Sequence, residues 1–400
     1  MLSVAEAEQR VLEAVGPLPT EDCALLNAHG RVLRQRLAAD RDLPPFDRVA
    51  MDGYAVRHGT WMAGVRRWHV AGIQAAGTIP IMLPADDACI EVMTGAALPQ
   101  GADTVLPYEE VVREHEDITV APEVKITAGQ AVHRRGSDRA AGAVIVQPGG
   151  RLGGGEIAVA AACGYARLTV TMQPKIAVVA TGDELVDVNA AVAPHQIRRS
   201  NDYALRAMLA AAGQPRVERF HLRDLQAEIE HRLWHIVAEY DVVLLTGGVS
   251  KGKFDFLPPV LAHLGVRKLF QGVAQRPGQP FWFGLSARHT PIFALPGNPV
   301  SSTVCLHRYV LPALGKMSGL AAGAPQYAIL TEGVAYGFPL AYFLPVKLAA
   351  DDDATRRATP AAVNTSGDFA GLTGTDGFLE LPAGPQELDA GTRARYWPWA

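Results

Sequence analysis

Three apolar runs in the chain each end in a short polar loop that contains glycine. The runs cover residues 175–180, 242–245 and 291–295 and show almost no alternation of polar and apolar positions. Such a pattern is typical of strands buried on both faces of a parallel sheet. Because ligands bind beyond the carboxyl ends of strands in open α/β sheets, the loops predict a binding site, with ordinary strand-to-helix turns as the alternative. The loops are Thr181-Gly182-Asp183-Glu184, Thr246-Gly247-Gly248 and Pro296-Gly297-Asn298-Pro299-Val300-Ser301.

The loop after residue 246 has the composition of an anion site. Two adjacent glycines, Gly247 and Gly248, let backbone N–H groups approach a ligand closely. Ser250 follows, and the carboxylate of Asp255 stands at a spacing that suits a metal ion beside the anion. The sequence therefore predicts an anion site at this strand end, where Asp255 could hold a metal ion beside the anion.

The wider pattern over residues 174–318 alternates between strands and helices. Asn201 and Asp224 are predicted to cap two of the helices, and the last helix is predicted over residues 300–317. Alternation over this length predicts a doubly wound sheet with right-handed crossovers.

The first forty-odd residues are predicted to be mainly helical. Ser3 and Glu6 have the spacing of a capping box, and a second helix is predicted over residues 31–37. Pro44-Pro45 ends the segment. It is too short to bury a core alone, so we expect it to pack on a later part of the chain or on a second copy.

Two further regions, residues 46–139 and 326–400, show short strand-like pieces separated by glycine and proline. The pattern predicts a small β-barrel or sandwich in the first region and a small β domain in the second. Three polar clusters in the first region are most simply interpreted as surface turns, because their residues are common in turns. These clusters are Met51-Asp52-Gly53-Tyr54, Thr94-Gly95-Ala96 and Arg134-Arg135-Gly136-Ser137-Asp138.

Composition narrows the class of protein. The chain has 400 residues, 48% of them hydrophobic, which is ample for several packed cores. Its net charge of −4 gives no argument for nucleic acid or an anionic membrane as a partner. No basic segment followed by an apolar core opens the chain, and no run reaches the length of a membrane span, so a cytoplasmic protein is expected. Four scattered cysteines argue against a disulfide framework and against a zinc site. No metal-ligand spacing is expected among the twelve histidines, which are interpreted as surface or core residues.

Seven short motifs follow one another along nearly the whole chain. Their residues are Phe46-Asp47 with Ala50-Met51-Asp52-Gly53-Tyr54-Ala55-Val56, Met93-Thr94-Gly95-Ala96, Arg134-Arg135-Gly136-Ser137-Asp138, Thr181-Gly182-Asp183-Glu184-Leu185, Ser200-Asn201, Thr246-Gly247-Gly248-Val249-Ser250 with Asp255, and Leu295-Pro296-Gly297-Asn298-Pro299-Val300-Ser301. In this order the motifs resemble the molybdopterin molybdenumtransferase family, which comprises the MoeA proteins and the gephyrin E domain. Each motif is weak alone, and the set is highly specific.

The resemblance implies an elongated homodimer with four parts in each chain. A dimerisation and linker region would cover residues 1–45 with 140–173, and a small β-barrel-like domain would cover 46–139. A doubly wound, MogA-like α/β domain would cover 174–319 and bind molybdopterin, and a C-terminal β domain would cover 320–400. The site would lie between the α/β domain of one chain and the first β domain of the other.

The resemblance also implies a reaction. Adenylylated molybdopterin is bound, its phosphoanhydride is cleaved, and molybdate is inserted at the dithiolene, giving molybdenum cofactor and AMP with a divalent cation such as Mg²⁺. Molybdopterin adenylyltransferase and other cofactor-assembly proteins are implied as partners.

Individual residues take roles through the same resemblance. Glu184 would bind the metal or act as a base, and Asp255 would hold the metal. Asp52, Thr94 and Asp138 would approach from the partner chain as catalytic residues. The pterin and nucleotide would be bound by Thr181, Gly182, Asp183, Asn201, Gly247, Gly248, Ser250, Arg276, Pro296, Gly297, Asn298, Pro299 and Ser301.

One segment departs from the family pattern. The family places lysines before and within a KPGKP-like motif, whereas residues 270–280 of this chain retain a single cation, Arg276. Arginine can bind an oxyanion bidentately but does not simply replace lysine. Lys251 and Lys253 are extra cations in the loop after residue 246. A catalytically altered paralogue that acts as a molybdopterin-binding, nucleotide-binding or assembly protein is therefore the alternative.

Overall fold

The computed structural model describes residues 1–248, 256–363 and 365–399. A central six-stranded sheet lies within residues 176–295, and its first four strands are parallel. The last two strands run antiparallel, so the sheet is mixed rather than uniformly parallel. In sheet order the strands are Val217–Leu222, Ile176–Thr181, Val242–Thr246, Pro291–Leu295, Trp282–Leu285 and Arg267–Gln271.

Helices pack on both faces of this sheet, which confirms the doubly wound prediction. Their buried residues fall into two separate apolar clusters, one on each side of the sheet. Two helix starts differ by one residue from the prediction, because Ser200 and Leu225 occupy the N-cap positions. The helices are Asn201–Ala211, Gln226–Glu239, Leu257–His263 and Pro299–Cys305, the last continuing through a π-helical turn, Leu306–Val310, into Leu311–Ser318.

The N-terminal helix Val4–Ala14 forms as predicted. The Glu6 N–H donates to Ser3 Oγ at 3.2 Å, and the Ser3 N–H donates to Glu6 Oε2 at 2.8 Å, completing the capping box. The buried face of this helix belongs to the same apolar cluster as the central sheet. The first segment therefore packs on a later part of the chain, which was one of the two expected outcomes.

The helix predicted over residues 31–37 is wrong. Val32 and Leu33 form bridges with Arg151 and Val170, and Leu37–Ala38 pairs as a strand. Pairing with residues more than a hundred positions away overrides the local helical pattern here. The pairs in this region are Thr20–Ala24 with Arg167–Thr171 and Leu37–Ala38 with Val144–Val146, and a short helix covers Gly154–Ala162.

Residues 53–119, all of them described, contain a six-stranded sheet that does not close on itself. Each face carries its own apolar cluster, so the sheet is covered on both sides. A short helix, His58–Met62, and the pair Arg48–Val49 with Val132–His133 lie beside it. In order the strands are Thr104–Pro107, Gly53–Val56, Ala88–Val92, Arg67–Gln74, Asp117–Thr119 and Val112–Glu114.

The C-terminal region forms the closed barrel of the molecule. Its first strand pairs with both the second and the last, which closes five strands around an apolar core. In order these strands are Ala341–Ala350, Arg356–Pro360, Gln326–Leu330, Arg393–Pro398 and Gly377–Leu381, and a hairpin of Val334–Tyr336 with Gln386–Leu388 is attached. The multidomain mixed α/β fold class is confirmed, with the barrel closing in this region rather than in residues 53–119.

A buried arginine joins three parts of the chain. Arg308 on the π-helical turn has a side chain only 1% exposed and pairs with Glu8 at 2.9 Å and Glu380 at 3.0 Å. Glu8 belongs to the N-terminal helix and Glu380 to the barrel. Removing one partner of such a buried pair costs about 3–5 kcal/mol, because the other charge stays buried. These contacts hold the barrel against the α/β region and so fix the cleft between them.

The described part of the chain contains no helix long and apolar enough to cross a membrane. All four cysteines are buried and free, as their scattered positions predict.

Candidate active site

The three polar loops that follow the apolar strands meet at one edge of the sheet. Ala180 lies opposite Thr246 in the parallel register, and Thr246 lies opposite Leu295, so the carboxyl ends are level. A cavity of about 380 Å³ opens there, which we call the strand-end cavity. It is lined by Thr181, Glu184, Arg199, Asn201, Asp202, Gly247, Gly297, Asn298 and Pro299, among others.

The glycine pair in the second loop is required by close packing. Gly247 and Gly248 have φ angles of 87° and 65°, in the left-handed region. A Cβ atom on Gly247 would lie 2.9 Å from the Thr181 carbonyl oxygen. Only glycine therefore lets this loop approach the end of the neighbouring strand.

Four buried polar atoms at the strand-end cavity have no hydrogen-bond partner among the described residues. They belong to residues that all line the cavity, and Asp202 is fully buried. Buried polar groups are normally paired, and an ordered water or a bound molecule can complete those that the chain leaves unpaired. The atoms are Thr181 Oγ1, Arg199 Nε, Asn201 Oδ1 and Asp202 Oδ1. The wall of the cavity thus contains both donors and acceptors that the described chain leaves unpaired.

Arg199 and Asp202 belong to a charged network that the sequence did not reveal. Asp202 Oδ2 lies 2.9 Å from Arg219 and 3.7 Å from Arg199. Arg199 also donates to Asp187 at 2.8 Å, and its side chain is 12% exposed. The network holds a guanidinium against the cavity with part of its charge already compensated.

Glu184 follows the first strand end and lines the cavity. Its carboxylate folds over Gly182, where a Cβ atom would lie 2.5 Å from Oε2. Asp183 turns away, and its Oδ1 accepts from the Asp224 N–H at 3.2 Å. Burial raises the pKa of Asp224, and the negative charges of Asp183 and Glu184 raise it further. The carboxylates of Asp183 and Asp224 therefore lie behind Glu184 at this strand end, with Arg223 Nε 3.6 Å from Asp183 Oδ1.

A second cavity of about 480 Å³, the barrel-side cavity, adjoins the first. Arg276, Pro296, Asn298 and Ser301 line it together with residues of the C-terminal barrel. Asn298 lines both cavities, and its Nδ2 donates to Ser366 Oγ at 2.7 Å. The two cavities thus form one cleft between the α/β region and the barrel.

Arg276 is exposed in this cleft and supported from behind. Its guanidinium lies 4.8 Å from the centre of the Phe338 ring, and its backbone pairs with Tyr342 of the barrel. The adjacent Gln275 is fully buried; it accepts from the Tyr309 hydroxyl and donates to the Pro277 carbonyl at 3.1 Å. The π-helical turn therefore fixes the loop that presents Arg276.

The polar turns of residues 46–139 lie outside both cavities of this chain. Asp52 Oδ1 accepts from the Thr94 N–H at 2.6 Å and from its hydroxyl at 2.7 Å. These two bonds lower the pKa of Asp52 below its ordinary value. Asp138 is exposed, and its N–H donates to the Leu43 carbonyl at 2.9 Å. The structure therefore joins Asp52 with Thr94 but brings neither them nor Asp138 into the cleft.

Several predicted residues cannot be placed in the cleft. Ser250, Lys251, Lys253 and Asp255 lie outside the described residues. Gly182, Asp183 and Gly248 belong to the loops without lining either cavity. Within residues 1–248, 256–363 and 365–399, no group of three or more His, Cys, Asp or Glu side chains is arranged to hold a metal ion.

Family models of known proteins match almost the whole chain. Residues 2–164 match the MoeA N-terminal region (domain I and II), residues 177–316 a probable molybdopterin binding domain, and residues 327–399 the MoeA C-terminal region (domain IV). A molybdopterin molybdenumtransferase of Synechocystis is 42% identical over 93% of both chains. The chain belongs to the molybdopterin molybdenumtransferase family. A Staphylococcus aureus protein of the same name is 30% identical over 98% of this chain and 94% of its own.

Solved structures agree with this membership. Two structures of the molybdopterin biosynthesis MoeA protein from Pyrococcus horikoshii superpose with TM-scores of 0.83 and 0.84, at 29% and 25% identity. Both comparisons cover 100% of this chain and 99–100% of the other. The resemblance inferred from seven short motifs is therefore confirmed.

In this member of the molybdopterin molybdenumtransferase family, the sequence analysis did not predict Arg199, Asp202 or the Tyr309–Gln275 hydrogen bond that supports the Arg276 loop. Arg199, Asp202 and Tyr309 stand outside the glycine-bearing loops, and Gln275, between Gly272 and Gly278, is ordinary in type. The sequence signal that could have identified Arg199 and Asp202 is their position, because they flank the Ser200-Asn201 motif.

Proposed function

We propose that this chain is a molybdopterin molybdenumtransferase: it binds adenylylated molybdopterin in the cleft and inserts molybdate with release of AMP. The observation that carries the proposal is the set of four unpaired buried polar atoms at the strand-end cavity. A relative of this name at 42% identity over 93% of the chain supports the transferase over the altered paralogue.

Phosphate and oxyanion groups would bind at two places. The N–H groups of Gly247 and Gly248 and the guanidinium of Arg199 suit the phosphates of the nucleotide. Arg276 suits the molybdate dianion, because a planar guanidinium can donate two parallel hydrogen bonds to an oxyanion. Ordinary lysines at the neighbouring positions are then not required for binding.

The described donors fit a Mg²⁺ ion. Glu184 supplies a carboxylate, and Thr181 Oγ1 and Asn201 Oδ1 are unpaired oxygens in the same cavity. Mg²⁺ prefers oxygen ligands and binds through one or two carboxylates plus substrate phosphates. When bound, the ion would neutralise charge on the phosphoanhydride. Asp255, outside the described residues, remains its proposed second carboxylate.

The catalytic carboxylates are proposed to come from two chains. Glu184 lies in the cleft of its own chain, where it accepts a proton or holds the ion. Asp52, Thr94 and Asp138 are exposed and far enough from the cleft to line neither cavity. A homodimer in which a second copy brings them to the cleft would explain such polar turns on a structural sheet. The four-part division of the chain given above belongs to the same proposal.

Turnover tests the function directly. Purified protein with adenylylated molybdopterin, Mg²⁺ and molybdate should release AMP and yield active cofactor. Glu184→Gln should lower AMP release by about 10²–10⁴-fold while pterin binding persists, because the amide can neither accept a proton nor carry charge. Glu332→Gln, on the exposed barrel surface, is the matched control. Intact pterin binding together with no response of AMP release to molybdate would instead support the altered paralogue.

Complementation tests the shared site. Asp52→Ala and Glu184→Gln chains should each be inactive alone. Mixed and allowed to exchange, half of the dimers contain one intact site of two, so about a quarter of wild-type turnover should return. No recovery, with exchange verified by mass, would show that Asp52 and Glu184 serve the same chain. Full activity of Asp52→Ala alone would show that Asp52 is dispensable.

A further inference from the structure

The rings of two histidines are in contact on a helix that the proposed reaction does not use. His231 and His235 lie on Gln226–Glu239 in His-x-x-x-His spacing, and both are exposed. Their ring centres are 5.0 Å apart and the ring planes are inclined at 80°. Interpreting every histidine as an ordinary surface or core residue overlooked this spacing.

The helix holds the pair in place. Residues four apart lie one above the other on the same helical face. The opposite face is anchored, because Ile229, Leu233 and Ile236 are buried in the core. The Trp234 and His235 rings meet nearly at a right angle, with centres 4.8 Å apart. Two imidazole side chains are thus exposed to solvent on a helix that is anchored to the core.

We propose that His231 and His235 form a surface binding site for late divalent transition-metal ions, with Cu²⁺ preferred. Imidazole nitrogen suits copper, nickel and zinc, and affinity rises along the series to Cu²⁺. Among the described residues no third His, Cys, Asp or Glu joins the pair, so water completes the coordination. The site is therefore open and exchangeable, unlike a closed structural zinc site.

The site is separate from the cleft in both place and chemistry. The helix begins beside Asp224, near the strand ends, and His231 and His235 lie about 8 and 14 Å further along its axis at 1.5 Å per residue. Mg²⁺ prefers oxygen ligands, so it should not compete for two imidazoles. Occupancy is expected to leave AMP release unchanged, which makes the inference independent of the proposed function.

Metal titration of the full, tag-free chain tests the site. One Cu²⁺ per chain should bind with an electron paramagnetic resonance spectrum showing two imidazole nitrogens, and should quench the fluorescence of Trp234, which is 59% exposed. His231→Gln and His235→Gln should each weaken binding by at least about tenfold. His263→Gln is the control, because His263 is exposed on the neighbouring helix and paired with Glu230.

Three results would overturn the inference. They are a spectrum with one coordinating nitrogen, undiminished affinity in either variant, and displacement of Cu²⁺ by millimolar Mg²⁺. Circular dichroism of each variant establishes that the helix is intact, and Trp234→Phe establishes which tryptophan reports.

Discussion

Two sets of polar turns in this molecule differ in how their polar atoms are satisfied. At the strand-end cavity, Thr181 Oγ1 and Asn201 Oδ1 are buried without a partner in the described chain. In the turns of residues 46–139, Asp52 accepts two hydrogen bonds from Thr94. Both sets looked alike in the sequence, as short runs of glycine and acid. Their difference separates loops with unpaired buried polar atoms from turns whose polar atoms are already paired within the chain.

The complete turns form a wider pattern. Asp42 accepts from the Ala141 N–H at 2.9 Å and from Arg135 at 2.7 Å, and these bonds lower the pKa of Asp42. Asp47 likewise accepts from Arg134 and from the Arg135 N–H, both at 2.8 Å. Turns satisfied internally can stay in water at little cost. Unpaired buried groups are costly until a ligand replaces the lost water bonds.

The largest effect should follow from Asp202→Asn, which removes the buried charge under the cleft. Asp202 is fully buried between Arg199 and Arg219, whose side chains are 12% and 24% exposed. Breaking a fully buried pair costs about 3–5 kcal/mol, and partial exposure of the arginines reduces this to about 2–3 kcal/mol of unfolding free energy. Urea unfolding measures the loss.

Asp22→Asn is the matched control outside the cleft. Asp22 pairs with Arg167, and the two side chains are 63% and 57% exposed. Exposed pairs contribute about 0–1 kcal/mol, so this variant should unfold nearly as the wild type does. Equal losses of unfolding free energy in the two variants would show that the buried charges at the cleft do not differ from exposed ion pairs.

A smaller and opposite effect is expected from Thr181→Val. The substitution keeps the shape of the side chain and removes a buried hydroxyl that lacks a partner. Unfolding free energy without ligand should stay level or rise by about 1 kcal/mol, whereas affinity for adenylylated molybdopterin should fall about tenfold. Calorimetric titration and urea unfolding measure the two quantities.

Thr94→Val is the comparison variant for that prediction. It removes a hydroxyl that already donates a hydrogen bond to Asp52, in a turn that lines neither cavity of its own chain. A Thr181→Val protein that loses stability while keeping its affinity would contradict the idea that this hydroxyl is reserved for a ligand.

The sequence predicted most of the elements that lie at the cleft. Ile176–Thr181 and Val242–Thr246 were evident because every residue of both strands is buried, which leaves an uninterrupted apolar run. The helix predicted over residues 31–37 failed because its strand partners come from residues 144–170. Pairing over such a distance leaves no local trace.

The cleft itself was only half predictable. A glycine pair in a loop indicates a close approach of the backbone to another group, so Gly247 was predicted from the sequence. Asp202 did not, because its burial between two arginines depends on Arg219, which lies on a separate strand. Residues that act through distant neighbours have no distinctive spacing in the chain.

The smallest effect concerns the titration of Asp52. The Thr94 N–H and hydroxyl lower the pKa of Asp52, and Thr94→Ala removes the hydroxyl, so the pKa should rise toward about 3.9 without reaching it. A depressed folded-state pKa stabilises the fold above the unfolded value and loses that contribution as pH falls through the folded value. Wild type and variant should therefore differ slightly at pH 7 and converge once the pH falls below the folded-state pKa of Asp52 in the wild type.

Carbon-13 NMR titration of the Asp52 carboxyl measures this shift. Thr119→Ala, an exposed threonine in the same sheet, should leave the Asp52 titration unchanged. If Asp52 already titrates at its ordinary value in the wild type, the turn is not complete in solution. The contrast with the cleft would then rest on burial alone, because an unbonded Asp52 carboxylate would be as open to a ligand as Thr181.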